Sequence, residues 1–211
     1  QARDACFPVI ESAKNREPAS STQVASSHEN PHMATTDRDK WNQKYLEATF
    51  PRQEPSPLIV AHSQYLPAPG RAIDLAGGNG NHALWLAQLG FEVTLADISQ
   101  VALDQAASDA RHEGLTLQTC CLDLEEDPFP AGPWSLILSH LYLYRPLFPD
   151  IKNSLAPGGI LICAQPTKTN LSRHARPPAR YLLDDDELPE LVEGLEILSY
   201  QQGWSVSGRH D

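Results

Sequence analysis

The sequence predicts an α/β fold in which a mostly parallel sheet is covered by helices on both faces. Short apolar runs alternate with helical patterns along most of the chain, and parallel strands need crossover helices of this kind between them. The longest apolar runs, such as residues 134–138 and 160–164, have the length of buried strands. The 211 residues suit one domain with a single substantial core.

Strands and helices can be assigned in order from residue 37 onward. The predicted strands are residues 71–76, 91–96, 115–122, 134–139, 160–165 and 195–200. The predicted helices are one that begins at Asp37 and those of residues 58–65, 81–89, 100–112, 147–155 and 184–192. Ser99 is the predicted N-cap of the helix over residues 100–112. Because crossovers are right-handed, a Rossmann-like doubly wound sheet is the commonest arrangement that satisfies this order.

The amino-terminal stretch differs from the rest of the chain. Residues 1–34 are rich in Ser, Ala, Glu, Asn and Pro without apolar periodicity, so we predict a disordered extension there. Residues 35–211 are then the folded domain. Met33 is the only methionine and stands just before the first helical pattern, so we expect natural translation to begin at this residue.

Composition narrows the classes of partner. The chain has 27 acidic and 16 basic residues, a formal net charge of −11, whereas nucleic acid binding draws on Lys and Arg to neutralise phosphates. We therefore expect a small molecule rather than a nucleic acid as substrate. No apolar run reaches the roughly 18 residues of a membrane span, so no membrane association is expected. The four cysteines form no C-x-x-C pair, which predicts no metal site and a reducing, cytoplasmic location.

A glycine-rich turn joins the first strand of the repeat to its helix. Residues 76–80 are Ala-Gly-Gly-Asn-Gly, and the glycines allow a sharp turn and a close approach to a ligand. The turn also satisfies the G-x-G-x-x-A pattern of dinucleotide sites. Asp74, just before it, favours a different cofactor, because a carboxylate gains nothing beside a pyrophosphate but attracts the sulfonium and ammonium groups of S-adenosylmethionine.

Acidic residues also follow the next two strands. Asp97 stands nineteen positions after Gly78, close to the spacing at which a carboxylate accepts hydrogen bonds from ribose hydroxyls. Asp123 is a candidate acceptor for the amino group of adenine, with Ile98 and Leu124 as apolar faces for the ring. The acidic residues that follow Asp123 support the alternative that it belongs to a solvated loop.

The segment after the strand at residues 134–139 carries the candidate acceptor-binding groups. It lies at the carboxyl edge of the sheet, where ligands of open α/β folds bind. His140 is a candidate general base because the ordinary pKa of histidine suits neutral pH, and Tyr142 is a candidate for shaping the acceptor pocket. Arg145 and Arg180 are candidates for holding an anionic acceptor. The alternative is that this aromatic-rich segment only packs against the core.

With these strand ends in place, the chain resembles the class I S-adenosylmethionine-dependent methyltransferases. The resemblance rests on residues 74–80, on Asp97 and Asp123 and on residues 155–159, and it extends over residues 37–204. Within that class, residues 41–45 and 180–183 are similar to segments of the small bacterial group related to tellurite-resistance and thiopurine methyltransferases.

The resemblance implies S-adenosylmethionine as the cofactor and assigns roles to the matching positions. The methionine half would lie at Asp74, Gly78 and Gly80, the ribose at Asp97, and the adenine at Asp123 and Leu124, with the cofactor covered by Tyr45. The full set of expected cofactor contacts is Tyr45, Asp74, Ala76, Gly78, Asn79, Gly80, Asp97, Ile98, Asp123, Leu124 and Ser139.

Two features depart from the family pattern. Ala76 stands where the class often has glycine. The final antiparallel strand of the family's sheet is missing from the sequence, since the chain stops at residue 211, about where that strand is expected to begin. Either the sequence is truncated or the sheet is completed differently.

These observations predict transfer of a methyl group from S-adenosylmethionine to a small-molecule acceptor by in-line displacement. Such a reaction needs positioning and desolvation more than a nucleophilic side chain, and none with a persuasive spacing is present. Two alternatives remain open. One is an NAD-dependent oxidoreductase that uses the same glycine-rich turn, and the other is a non-catalytic protein that binds S-adenosylmethionine.

Overall fold

The computed structural model describes residues 10–11, 31–47 and 53–205 of the chain. The strands are β1 (Ile10–Glu11), β2 (Arg71–Leu75), β3 (Glu92–Asp97), β4 (Leu117–Cys121), β5 (Trp134–His140) and β6 (Leu155–Ala164). The α-helices are α1 (Pro31–Glu47), α2 (Pro57–Ala61), α3 (Asn81–Gln88), α4 (Gln100–His112), α5 (Phe148–Ser154) and α6 (Leu188–Leu191). Short 3-10 turns lie at Ser63–Tyr65, Arg145–Leu147, Lys168–Ser172 and Ala179–Tyr181.

The strands form one twisted sheet in the order β1-β6-β5-β2-β3-β4. Strands β2 to β6 pair in parallel, and β1 pairs antiparallel with β6 at one edge. The chain leaves β2 toward β3 and β4 on one side and returns to β5 and β6 on the other, which is the doubly wound arrangement. The predicted Rossmann-like fold is therefore confirmed.

Two apolar clusters cover the two faces of the sheet. On one face, α2, α3 and α4 bury side chains such as Ile59, Leu86 and Leu103 against alternate residues of the strands. On the other face, α5 and α6 contribute Ile151 and Leu188 to a second cluster. A sheet that is buried on both faces keeps its register, because a slip of one residue would move every strand side chain to the opposite face.

Three helix and strand assignments near the chain ends differ from the sequence prediction. Asp37 lies inside α1 and pairs with Lys40 at 3.1 Å, so it does not cap a helix there. The helix predicted over residues 184–192 is reduced to α6, because Asp186 adopts a left-handed φ of 63° that ends any helix before it. Residues 195–200 form no strand; the edge of β6 where such a strand would pair is taken by Ile10–Glu11.

The antiparallel neighbour of β6 thus comes from the amino-terminal side of the chain. Ile10 lies opposite Leu161, and Glu11 lies opposite Ile160. These residues and the first turn of α1 fall inside the stretch predicted to be a disordered extension; the remaining residues of 1–30 lie outside the described part of the chain. Among the described residues, this pairing covers part of the β6 edge, whose backbone groups would otherwise be exposed.

Candidate functional site

The parallel strands bring the acidic residues predicted from the sequence to one edge of the sheet. Asp74 lies in β2, Asp97 ends β3, and Ser139 lies near the end of β5, which is the other neighbour of β2. The connections from β2 and β5 run in opposite directions at this point, so a crevice opens between their carboxyl ends. This is the position at which open α/β sheets bind their ligands.

The glycine-rich turn has an alternating backbone conformation that shapes this crevice. Ala76, Gly78 and Gly80 have φ values of 50°, 58° and 79°, which lie in the left-handed region. Such alternation turns successive N–H groups toward a common centre. Glycine adopts this conformation freely, whereas at Ala76 it costs on the order of 1 kcal/mol. The class prefers glycine at this position because glycine adopts the left-handed conformation without strain. Ala76 keeps the same turn at the cost of some backbone strain.

Asp97 connects the turn to the start of α4. Its Oδ2 accepts a hydrogen bond from the Gly78 N–H at 2.8 Å, and its Oδ1 accepts one from the Ser99 N–H at 2.8 Å. The residue is buried, and this desolvation raises the pKa of the carboxyl while the backbone N–H groups of Ser99, Gly78 and Ile98 oppose the shift. Each carboxylate oxygen keeps a second lone pair, so the geometry remains compatible with the ribose role predicted for Asp97.

Asp74 is placed differently from the sequence prediction of a charge that faces the ligand. Only 1% of the residue is exposed, and neither carboxyl oxygen has a hydrogen-bond partner. The carboxyl lies beneath the turn, where a Cβ on Gly77 would come within 2.5 Å of Oδ2. Burial, followed by the charge of Asp97, raises the pKa of Asp74 to about 8; the Ala83 N–H opposes the shift without reaching hydrogen-bond geometry. In this arrangement Asp74 is mostly a neutral acid at pH 7.

Asp123 begins a tight acidic turn after β4. Its Oδ1 accepts a hydrogen bond from the Glu125 N–H at 2.9 Å, and its own N–H donates to Asp127 Oδ2 at 2.7 Å. The residue is buried, unlike the exposed acidic residues that follow it. Leu124 is buried in the adjacent core cluster. The local structure explains Asp123 as a turn residue, and its predicted contact with adenine stays a prediction.

The helix α1 packs against α4 and is fixed to its first turn. Asn42 Oδ1 accepts hydrogen bonds from Ser99 Oγ at 2.9 Å and from the Val101 N–H at 3.3 Å, so it caps the first turn of α4 from outside. Ser99 Oγ itself accepts from the Ala102 N–H at 3.2 Å, which confirms Ser99 as the N-cap.

Through α1, the Tyr45 side chain reaches the glycine-rich turn. Its hydroxyl packs against the Cα of Gly78, where a Cβ would collide with it. Burial, with the charge of Asp97 as the second cause, raises the pKa of Tyr45 to about 12. Asn79 and Ile98 are half-buried. Tyr45 thus lies against the glycine-rich turn, and its predicted role in covering the cofactor stays a prediction.

A buried polar group organises the segment after β5. Gln165, which follows β6 and is 1% exposed, donates to the backbone oxygen of Tyr142 and to Ser139 Oγ at 3.4 Å. The Tyr142 hydroxyl is buried without a hydrogen-bond partner, and desolvation with the charges of Glu125 and Asp123 raises its pKa. Tyr142 is therefore a neutral phenol whose buried hydroxyl lies near the charges of Glu125 and Asp123.

His140 lies against a second, buried histidine. The His140 and His82 rings meet edge to face, with their centroids 4.8 Å apart. His82 Nε2 accepts a hydrogen bond from the Ser56 N–H at 3.2 Å, so its proton is on Nδ1. Desolvation lowers the pKa of His82 to about 4, which keeps the ring neutral. His82 is a buried structural residue, and the role of His140 as a base stays a prediction.

The two arginines predicted to hold an anionic acceptor have other partners. Arg145 forms a bidentate ion pair with Glu187 at 2.5 and 2.7 Å and also donates to the Leu182 carbonyl at 3.0 Å. Arg180 stacks over the ring of Tyr181 and donates to its hydroxyl at 3.1 Å. Arg145 links the segment after β5 to the start of α6, so it must leave Glu187 before it can bind an acceptor.

Replacing Arg145 by methionine is expected to lower the free energy of unfolding by about 1–2 kcal/mol, because a two-point, partly buried ion pair is lost. Urea denaturation of both proteins measures this difference. Arg180→Met is the matched control, since Arg180 is exposed and contacts only its neighbour, and it should change stability by less than about 0.5 kcal/mol. Equal effects of the two substitutions would contradict the structural role of Arg145.

Two site residues were missed by the sequence interpretation. Asn42 had no visible signal, because its contact with α4 depends on how α1 packs. Gln165 did have a visible sequence signal, because a polar residue at the end of an apolar strand is the same pattern that singled out Asp74 and Asp97. The described residues contain no group of three or more acidic, histidine or cysteine side chains that is arranged to hold a metal ion. They also contain no helix with the length and apolarity needed to cross a membrane.

Comparisons with known proteins agree with this geometry. Residues 72–159 match the family described as Methyltransferase domain, which covers the glycine-rich turn, Asp97 and the end of α5. The ribosomal protein L11 methyltransferase of Thermus thermophilus is 31% identical over 103 residues, which cover 48% of this chain and 40% of that protein. The uncharacterized methyltransferase YodH of Bacillus subtilis is 32% identical over 101 residues, which cover 46% of this chain and 43% of that protein. The chain therefore spans less than half the length of these curated relatives.

A solved structure extends the likeness of the fold beyond the matched segment. TehB from Haemophilus influenzae superimposes with a TM-score of 0.59 at 20% identity, over 82% of this chain and 62% of that one. The sequence resemblance is confirmed at the level of the class. Residues 72–159 match a methyltransferase domain, and the chain has the fold of the class I S-adenosylmethionine-dependent methyltransferases.

Proposed function

We propose that the protein binds S-adenosylmethionine at the carboxyl edge of the sheet and transfers its methyl group to a small-molecule acceptor by in-line displacement. S-adenosylmethionine supplies a methyl group on a sulfonium leaving group, so the protein's task is to bind, orient and exclude water. The relatives named above are methyltransferases, which supports the class of reaction. Cys120, Cys121 and Cys163 are free thiols, which suits a reducing compartment such as the cytoplasm.

One contact carries the choice of cofactor. The Gly78 N–H, which a dinucleotide site would offer to a pyrophosphate, is bound at 2.8 Å by the carboxylate of Asp97. A pyrophosphate would lose this donor and would face a negative charge in its place. A cofactor with a cationic methionine half loses nothing by this arrangement, and its ribose can still bond to the free lone pairs of Asp97. The contact therefore favours S-adenosylmethionine over NAD.

Three residues around the crevice are assigned the remaining roles in cofactor and acceptor binding. Tyr45, held over Gly78 by the fixed helix α1, covers the cofactor from the solvent side. Tyr142, whose backbone is fixed by Gln165, keeps a protonated and buried hydroxyl near Asp123 and Glu125. His140 stands at the end of β5 and is the one candidate in this segment for removing a proton from the acceptor.

The acidic balance of the chain supports a small molecule over a nucleic acid as acceptor. The formal net charge of −11 repels a polyanion. The resemblance to the tellurite-resistance and thiopurine group suggests thiols and the oxyanions of selenium and tellurium as the first acceptors to test.

Calorimetric titration with S-adenosylmethionine, S-adenosylhomocysteine and NAD tests the cofactor assignment. We expect both adenosyl compounds to bind and NAD not to bind. Binding of NAD alone would replace the methyltransferase proposal with the oxidoreductase alternative.

A methyl-transfer screen with thiols, selenium and tellurium oxyanions and small amines then tests catalysis. Transfer to one of these acceptors is the expected result. Binding of S-adenosylmethionine without transfer to any acceptor would favour the non-catalytic alternative. Tyr45→Ala provides a further check, because it should weaken the binding of S-adenosylmethionine if this residue covers the cofactor.

A further inference from the structure

The loop after β6 is the most basic stretch of an acidic chain. Residues 151–183 contain five Lys or Arg residues and no Asp or Glu. Taking these five positive charges out of the formal net charge of −11 leaves −16 on the rest of the chain. Residues 167–183, here called the basic loop, hold four of the five: Lys168, Arg173, Arg176 and Arg180.

The basic loop has a defined shape. At its base, the Lys168 N–H donates to the Leu183 carbonyl at 2.7 Å, and the Leu183 N–H donates to the Pro166 carbonyl at 3.0 Å. Inside it, Asn170 is 2% exposed and donates its side-chain amide to the Arg176 carbonyl at 3.2 Å. The Asn170 carbonyl accepts from the Arg173 N–H at 3.1 Å. The backbone at both arginines is therefore fixed from within the loop.

The base of the basic loop adjoins the candidate site. The loop leaves the carboxyl end of β6 immediately after Gln165, the residue that bonds to Ser139 and to the backbone of Tyr142. These residues belong to the segment where we place the acceptor. The basic loop thus begins at the same edge of the sheet as the candidate site.

Two of the loop's cations are not neutralised. Lys168 pairs with Asp184 at 2.7 Å, in the acidic run that follows the loop. The Arg173 guanidinium instead stacks on Trp204, 3.7 Å from the ring centroid, and Arg176 is exposed. Neither arginine has a carboxylate partner among the residues that the structure describes. Stacking on an aromatic face leaves the in-plane N–H donors of a guanidinium available for an anion.

We propose that the basic loop binds an anionic group of the methyl acceptor through Arg173 and Arg176. This inference rests on the proposed methyl transfer and narrows its substrate class to small molecules that carry a carboxylate, phosphate or other oxyanion. A small anion fits better than a nucleic acid, because the −16 on the rest of the chain repels a polyanion that extends beyond the loop. Two arginines on one short loop suit a compact oxyanion, to which each guanidinium can donate two hydrogen bonds.

The test is calorimetric titration of the full chain with inorganic phosphate at low ionic strength. We expect a dissociation constant of about 1–10 mM for the unmodified protein. Arg173→Gln and Arg176→Gln should each weaken it about tenfold, as expected for the loss of a charge-assisted hydrogen bond. Arg111→Gln is the matched control, since it removes one exposed cation at the far end of α4 and should leave phosphate binding unchanged.

Each other outcome overturns the proposal in an identifiable way. If phosphate does not bind, or binds equally to all variants, the proposed anion site is excluded. A short single-stranded oligonucleotide that binds more tightly than phosphate through the same arginines replaces the small anion with a nucleic acid. Arg173→Gln also removes the stacking of Arg173 on Trp204. If that loss perturbs the fold, Arg176→Gln alone tests the proposal, because the Arg176 side chain is exposed. Parallel titration with S-adenosylhomocysteine tests the proposed function separately, since its binding does not involve these arginines.

Discussion

Replacing Asp97 by alanine is expected to weaken the binding of S-adenosylmethionine by about 1–3 kcal/mol, which is the usual loss for hydrogen bonds to a charged group. The variant removes the predicted ribose acceptor and also releases the Gly78 and Ser99 N–H groups that this carboxylate holds. Calorimetric titration of both proteins measures the difference. The upper part of the range is expected, because the shape of the turn and the contact with the cofactor depend on the same side chain.

Asp97→Asn separates these two roles. An asparagine can still accept one backbone hydrogen bond through its carbonyl oxygen, so the turn is partly retained while the charge is lost. Asp104→Ala removes an exposed carboxylate on α4, the helix that follows Asp97, and serves as the control for a general change in charge. An affinity for S-adenosylmethionine that is the same in the Asp97 variants and in the control would exclude the ribose role.

Replacing Asp74 by asparagine is expected to stabilise the protein, and by more as the pH rises from about 4 to 8. Burial raises the pKa of this carboxyl from 3.8 to about 8. Between these values the unfolded chain has released the proton and the folded chain retains it, so the wild-type fold loses stability as pH increases. Asparagine cannot ionise and avoids this loss. The shift corresponds to about 5 kcal/mol near pH 8, and the cost of burying an unpartnered amide offsets part of it. We therefore expect a net gain of about 2–4 kcal/mol, measured by urea denaturation across this pH range.

The control for this experiment is Asp104→Asn, which changes an exposed carboxyl group and should show no such dependence on pH. A difference in stability between wild type and Asp74→Asn that stays constant from pH 4 to 8 would show that Asp74 is ionised in the folded protein. That result would restore the sequence-based picture of a permanent negative charge at the crevice.

The same variant tests whether Asp74 ever acts on the cofactor as a carboxylate. A sulfonium or ammonium group placed near Asp74 would lower its pKa, so binding at pH 7 should release up to about one proton more from wild type than from Asp74→Asn. Titration in buffers of different ionisation enthalpy measures this release. Equal release by the two proteins would leave Asp74 with only the support of the glycine-rich turn.

Much of the fold and the location of the site could be predicted from the sequence. The alternation of apolar runs with helical patterns identified strands β2 to β6 and helices α3 and α4 to within a few residues. The glycine-rich turn, Asp97 and Asp123 were found because acidic or glycine residues at the ends of apolar strands must meet at one edge of a parallel sheet. These signals are local, and parallel pairing of the strands brings the residues together at one edge of the sheet.

The prediction was weakest where a residue's role depends on a distant partner. Arg145 carries the charge of an anion-binding residue, but its ion pair with Glu187 depends on how the segment before α6 folds back. The strand predicted at residues 195–200 was wrong because the edge of β6 pairs with a segment from the other end of the chain. Asn42 shows the reverse case, since nothing in its local sequence marks it as a cap for α4.

The sequence by itself determined the class of fold, the cofactor family and the carboxyl edge as the candidate site, because periodicity, glycine conformational freedom and acidic strand ends are properties of neighbouring residues. Only the tertiary structure decided the ionisation of those acids. Asp74 and Asp97 are both acidic strand-end residues, yet one is buried without a partner and is mostly neutral, while the other holds two backbone N–H groups. Burial and hydrogen bonding decide the charge of a carboxyl, and both arise only when separate parts of the chain pack together.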